Sequence, residues 1–366
     1  PDAGIAWYHP HTRDDIGQEM GLYGNYFIDS NEPGYYSEVN REMPLVLDDI
    51  LIENGKIAAF YKDYVDHALL GRFGNTYLVN GEADYTLEVK KGEVIRFLTT
   101  NVSNARTYRL SIPGAMIKRV GGDASKYELE TFENELVLSP AERVVFEVYF
   151  PESGTYKLVN RQKDKTEEVA RFIGSESSVE VSYKDIFLAA RKDIGRTEEF
   201  NALRAQYQDA PPAKKLRLTV ALTGVVDHSA HAHGATTDTG SAGGHDHGSM
   251  DMSGMDASMH TMMHGDPLDA IQWNDDANTD VVNTTKNVEW IMIDEATGKK
   301  NMDIPVRDWT FTQGQYVKIR ITNDPMAAHV MQHPIHLHGQ RFVVLNDNGV
   351  ANTNMVRRDT ALVLPG

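Results

Sequence analysis

Short runs of alternating apolar and polar residues, broken every few positions by Gly, Pro, Asn or Asp, dominate the first 160 positions. "YGNYFI", "MPLVLDDILI", "TYLVNG", "YTLEV", "VIRFLTT", "TYRLSI", "ELVLS", "RVVFEVYF" and "GTYKLVN" follow one another, separated by "NEPG", "KKGE", "SIPG" and "PESG". Period-two runs of this length with turn residues between them predict strands, and their regular spacing favours an all-β sandwich or barrel over a parallel sheet covered by helices. "VEWIMID", "YVKIRITND", "RFVVLND" and "ALVLPG" continue the pattern toward the end of the sequence. One stretch has the helical period instead. In "GRTEEFNALRAQYQ", Phe200, Leu203 and Tyr207 share a face, and Pro211 and Pro212 stop the run. It predicts a short helix packing on a connector.

Between about 227 and 266 the pattern disappears. "DHSAHAHGATTDTGSAGGHDHGSMDMSGMDASMHTMMHGDP" has almost no aliphatic residues and cannot bury enough apolar surface to offset its chain entropy. It predicts a flexible insert.

Length and charge narrow the function. At 366 residues the sequence is long enough for two or three domains. No apolar run approaches the roughly 18 residues of a membrane span. A formal net charge of −17 argues against nucleic acid as a partner, because phosphate contacts need clustered Lys and Arg. The sequence contains no cysteine, so neither disulfides nor thiolate metal sites are available to it.

Histidine carries the candidate chemistry. In "QHPIHLHGQRF", His336 and His338 alternate, and on an extended strand they would project from one face toward adjacent metal ions. His333 lies three residues earlier beside Pro334, where a turn can aim it elsewhere. Near the other end, "IAWYHPHTRDDIGQEM" places His9 and His11 in a second His-x-His with strand spacing. Imidazole suits copper, zinc, iron and nickel. Separate histidines satisfied at strand starts are the bland alternative, and the coincidence of two such pairs speaks against it.

The string His-Pro-Ile-His-Leu-His-Gly resembles the third copper motif of the multicopper oxidases, the family of laccases and bacterial copper-resistance oxidases. "WYHPHTRDDIGQEMGLYGNYFI" is similar to their second motif. "NGEADYTLEVKKGEVIRFLTTNVSNARTYRLSI" resembles their middle cupredoxin domain, and "FTQGQYVKIRITNDPMAAHVMQHPIHLHGQRFVVL" their last. The resemblance implies cupredoxin-like Greek-key β-sandwiches in a three-domain architecture. Residues 1–30 would be a remnant of the first domain and 31–165 the middle domain. A connector at 166–279 would carry the insert, and 280–366 would be an incomplete last domain. It further implies that His9 and His11 bind paired type 3 coppers, that His336 holds a type 2 copper, that His338 holds a type 3 copper, and that His333 belongs to the type 1 copper that accepts electrons. The implied activity is one-electron oxidation of phenolic substrates or Cu(I), coupled to reduction of dioxygen, in the periplasm or outside the cell.

Two family motifs do not occur in this sequence: the His-Trp-His-Gly type string and the His-Cys-His string with the type 1 cysteine. The sequence therefore reads as the interior of such an oxidase with both ends missing. The rival reading is a copper-binding or sequestering protein without turnover. A third is a fragment completed by segments of a partner chain or by a second copy.

The insert adds His228, His231, His233, His245, His247, His260 and His264, with Met250, Met252, Met255, Met259, Met262 and Met263. Thioether sulfur favours Cu(I), and the resemblance implies a cuprous-ion role for this segment. Asp14, Asp15 and Glu19 read either as carboxylates serving the histidines or as an acidic helix start. Trp7 and Tyr8 read as core. His67 and His329 read as surface or packing residues, with His329 near enough to "HPIHLH" to support a ligand. "VGGDAS" at 120–125 lacks the Gly-Lys-Ser of a phosphate loop.

Overall fold

A computed structural model describes residues 3–60, 67–69, 71–223, 268, 271, 286–328 and 330–365. The predicted insert and His329 lie outside the described residues.

The chain opens with strand β1 (Gly4–Tyr8), helix α1 (Asp14–Glu19) and strand β2 (Gly24–Ile28), and β1 and β2 pair antiparallel. The middle of the chain then supplies β3 (Arg41–Ile50), β4 (Ile52–Glu53), β5 (Lys56–Ile57), β6 (Thr76–Val79) and β7 (Thr86–Lys91). It continues with β8 (Glu93–Asn101), β9 (Tyr108–Ser111), β10 (Met116–Gly121), β11 (Lys126–Glu133) and β12 (Leu136–Leu138). β13 (Arg143–Phe150), β14 (Gly154–Arg161) and β15 (Thr166–Ser178) complete it.

These strands make a six-stranded sheet, ordered β11-β10-β13-β8-β3-β6, facing a five-stranded one, ordered β12-β9-β14-β15-β7. Most pairings are antiparallel, but β3 runs parallel to β8 and β15 parallel to β7. Strand β15 belongs to this sandwich although it falls in the segment expected to be connector. Its "TEEVARFIGSESS" hides the alternation behind charged residues.

Alternation along β13 explains how the sandwich recruits the rest of the chain. Val144, Phe146, Val148 and Phe150 join the main core with Phe97, Tyr108, Leu158 and Phe172. Each such side chain contributes roughly 2–3 kcal/mol by leaving water. The opposite face of the same strand is buried as well. Val145 packs with Ile5 of β1 and Val120. Glu147 accepts from Arg96 and pairs with Lys118, which also reaches Glu130. Tyr149 packs with Phe187, which lies on helix α2 (Lys184–Leu188). A strand covered on both faces reads as a continuous apolar run, as "RVVFEVYF" does.

The predicted helix is present as α3 (Ile194–Tyr207). The Asp193 carboxylate caps it by accepting the Arg196 N–H at 2.9 Å. Buried Phe200 and Leu203 meet Met355, with Val343 and Leu345 alongside. The helix therefore joins the middle sandwich to the end of the chain, where the sequence suggested only local packing. Arg204 and the Met355 N–H both bond the Glu128 carboxylate of β11, which strengthens the same junction.

The final unit begins inside the expected connector with β16 (Lys214–Leu222), which lies between antiparallel β17 (Val288–Asp294) and parallel β18 (Ile319–Asn323). It ends with β19 (His333–His336), β20 (Asn346–Asp347), β21 (Val350–Ala351) and β22 (Thr360–Val363). β19 pairs with β22, setting His336 opposite Thr360. "RFVVL" forms only an isolated bridge, between Phe342 and Arg358.

One buried carboxyl belongs to the frame and not to the histidines. Asp48 on β3 accepts a hydrogen bond from the Tyr23 hydroxyl at 2.8 Å, tying the turn after α1 to the sandwich. Burial pushes its pKa up to about 7.

Candidate copper site

Both His-x-His pairs sit at strand ends: His9 and His11 just past β1, His336 as the last residue of β19 and His338 just past it. Strand β1 stops at Tyr8 because Pro10 has no N–H to continue the ladder, so His9 and His11 lie in the turn that leads to α1. Strand β19 stops at His336, and His338 lies in the turn closed by Gly339, whose φ of +70° suits glycine. The strand therefore places only His336, while turns place His9, His11 and His338 and bring the two pairs together.

The imidazoles of His9 and His11 are 4.7 Å apart between ring centroids, those of His11 and His338 5.0 Å, and those of His338 and His336 4.7 Å. Four histidines from opposite ends of the sequence thus form one chain of neighbouring rings. Trp7 stacks on His9 at 4.2 Å with an interplanar angle of 20°, so it supports the cluster instead of filling the core. Tyr8 is 53 % exposed, contrary to its reading as core, and meets only the Tyr26 ring among the aromatics around it. His333, on the same strand as His336, is three residues away and faces elsewhere. Its ring meets Trp290 edge-on at 5.3 Å.

Hydrogen bonds set which nitrogens are available. His336 Nδ1 lies 3.0 Å from the Asp359 carbonyl oxygen and 3.1 Å from Thr360 Oγ1. A carbonyl can only accept, so Nδ1 carries the proton and Nε2 keeps its lone pair. His9 Nδ1 lies 3.2 Å from the Pro10 carbonyl oxygen, which argues for the same arrangement. The hydrogen bond to Asp359 raises the His336 pKa. Burial, with His11 beside it, lowers that of His9, and burial alone lowers that of His333. At neutral pH, His9 and His333 are therefore biased toward the uncharged form that binds metal.

The cluster opens on a cavity of about 400 Å³ lined by His9, His336, His338, Trp7, Asp14 and Asp15. His67, read from the sequence as a surface or packing residue, lines it too. Glu19 turns away from the histidines. Its carboxylate takes the Arg72 guanidinium at 3.0 Å and the Leu51 N–H at 3.1 Å. Asp15 is held by Arg13, whose hydrogen bond lowers its pKa. Asp14 and Asp15 occupy the first turn of α1, as the helix-start reading expected.

Asp359, Arg143 and Asp123 carry no signal in the sequence analysis, yet they hold the site. Arg143 donates from Nη1 and Nη2 to the two Asp359 oxygens at 2.6 Å each, and from Nε to the Ile5 carbonyl at 2.8 Å. Asp123 accepts the N–H groups of Arg143, Asp359 and Thr360 at 2.8, 3.0 and 3.0 Å. Hydrogen bonds from His336 and Arg143, with the Arg143 charge, outweigh burial and hold the Asp359 carboxyl well below the usual range. The Arg-Arg-Asp-Thr run at 357–360 was a usable signal, since a carboxylate flanked by arginines near a histidine pair suggests an outer partner for a ligand.

Imidazoles with free Nε2 positions, a carboxylate-anchored His336 and an open cavity fit copper. Among the described residues no three His, Asp or Glu side chains are gathered tightly enough to enclose one ion. The arrangement supplies imidazoles along a row, suited to adjacent metal ions with positions left open, and not a closed cage.

Residues 270–366 match the multicopper oxidase family model. A cell division protein FtsP from Photorhabdus laumondii is 31 % identical over 150 residues, covering 38 % of this chain and 30 % of that protein. A laccase from Bacillus subtilis is 32 % identical over 156 residues, covering 38 % and 29 %. The aligned stretch thus spans under a third of these curated relatives. The crystal structure of a multicopper oxidase from Pseudomonas thermotolerans superposes over 100 % of this chain and 68 % of its own, with a TM-score of 0.59 at 20 % identity. The cupredoxin-like, all-β fold expected from the sequence is the fold of these proteins. The last quarter of the chain thus matches the multicopper oxidases, whose metal is copper, and the chain as a whole shares their fold.

Proposed function

We propose that this chain is part of a laccase-type copper oxidase in which His9, His11, His336 and His338 hold the coppers that meet dioxygen, while His333 serves the copper that takes electrons from substrate. The observation that carries this reading is the convergence of two His-x-His pairs, more than 300 residues apart in sequence, on one open cavity. Bound copper would supply one-electron redox chemistry there. The chain's own contribution is to present imidazole Nε2 atoms, to orient His336 through Asp359, and to leave Asp14 and Asp15 at the cavity as proton carriers. Phenolic compounds or Cu(I) are the substrates, with dioxygen as the terminal acceptor, in a periplasmic or extracellular setting. The Met- and His-rich segment fits delivery of Cu(I).

One observation favours a second reading, copper binding without turnover: relatives include proteins named for cell division.

Copper per chain and oxygen uptake separate the readings. His336→Ala with His338→Ala should remove most tightly bound copper, and unchanged copper content would sink the site assignment. Oxygen consumption with a phenol or Cu(I) supports the oxidase, whereas stoichiometric copper with no uptake supports sequestration.

A further inference from the structure

Arg143 lies on the middle sandwich, yet both halves of the histidine cluster hang from it. Its Nε holds the carbonyl of Ile5 on β1, four residues before His9, at 2.8 Å. Its two terminal nitrogens grip Asp359 at 2.6 Å each, and Asp359 and Thr360 in turn hold the His336 ring. The side chain is only 3 % exposed, and Asp123, which receives the Arg143 N–H, is 1 % exposed. A buried guanidinium with its fork filled on two sides has little freedom, because leaving either partner strands a charge away from water.

We propose that Arg143 is the positioning residue that sets His9/His11 in register with His336/His338, so that copper is bound by the two halves jointly. The inference rests on the copper-site reading above and assigns Arg143 no contact with metal or substrate. A planar five-donor group can satisfy Ile5 and Asp359 together, whereas a lysine at this position can reach one or the other.

The test is a cycle of affinities for Cu(II), measured on the full chain by competition with a chelator. Arg143→Met should weaken copper binding about 10–100-fold, the usual loss when an outer partner of a metal site is removed. In a background of His9→Ala and His11→Ala, where there is no second half to register, it should change affinity by no more than about twofold. Arg143→Lys should fall between. If Arg143→Met does not fold, Arg143→Lys and Asp359→Asn are read in the same cycle, with thermal unfolding recorded for each. Equal losses in both backgrounds, or a lowered melting temperature with copper affinity unchanged, would overturn the proposal by showing Arg143 to be structural only. If His336→Ala with His338→Ala leaves copper binding intact, the site reading itself fails, and that outcome is distinct from either.

Discussion

Asp48 shows how a single side chain couples the frame to pH. Its carboxyl is raised to about 7 in the fold by burial, against roughly 3.9 in an unfolded chain. The folded state therefore binds the proton more tightly. The stability linked to that proton is fully present below about pH 4 and is lost as pH climbs through 7. Asp48→Asn removes the titration while keeping a partner for Tyr23. The variant should gain at least about 1 kcal/mol over the parent at pH 8 and lose that advantage near pH 4, as read by denaturant unfolding at the two pH values. At this scale the histidines proposed as ligands stood out, because His-x-His is a short pattern. Arg143 and Asp123 were not. An arginine beginning "RVVFEVYF" looks like any strand start, and its partners Ile5 and Asp359 are 138 and 216 positions away.

Elements follow the same division between local and distant information. Helix α3 was readable because its apolar period and its terminating prolines are local. What it docks against was not, since Met355 lies far along the chain. Phe200→Ala should therefore cost about 3–5 kcal/mol by emptying that contact. Calorimetry should show the loss in the transition of the final unit as much as in that of the sandwich. Strand β15 escaped notice because Glu167, Glu168 and Arg171 blur its alternation, and β11 because Glu128 and Glu130 are buried in ion pairs while Leu129 and Phe132 are exposed. β16, "KKLRLTVAL", alternates clearly and was obscured only by its position beside the insert. The His-x-His pairs were placed on strands because their spacing matches a strand. His336 does end strand β19, whereas Pro10 and Gly339 put the other three histidines in turns.

For the whole molecule, fold class was legible and assembly was not. Regular short strands announce a sandwich, but how β1, the sandwich and the final unit meet depends on hydrogen bonds that no window of sequence contains. The absence of cysteine has a direct spectroscopic outcome. Copper-loaded chain of this sequence should lack the intense visible band of a copper–thiolate bond, which an absorption spectrum with increasing Cu(II) checks. The Asp123 carboxylate has a kinetic consequence. It closes onto the Asp359 and Thr360 N–H groups across 236 and 237 positions, and contacts that distant form slowly because the intervening chain must first be ordered. Refolding should therefore run in stages, with the β-sheet circular dichroism of the sandwich recovering early and copper-binding competence appearing in a later phase. A newly made chain would spend its first moments folded at the centre and blind to the metal.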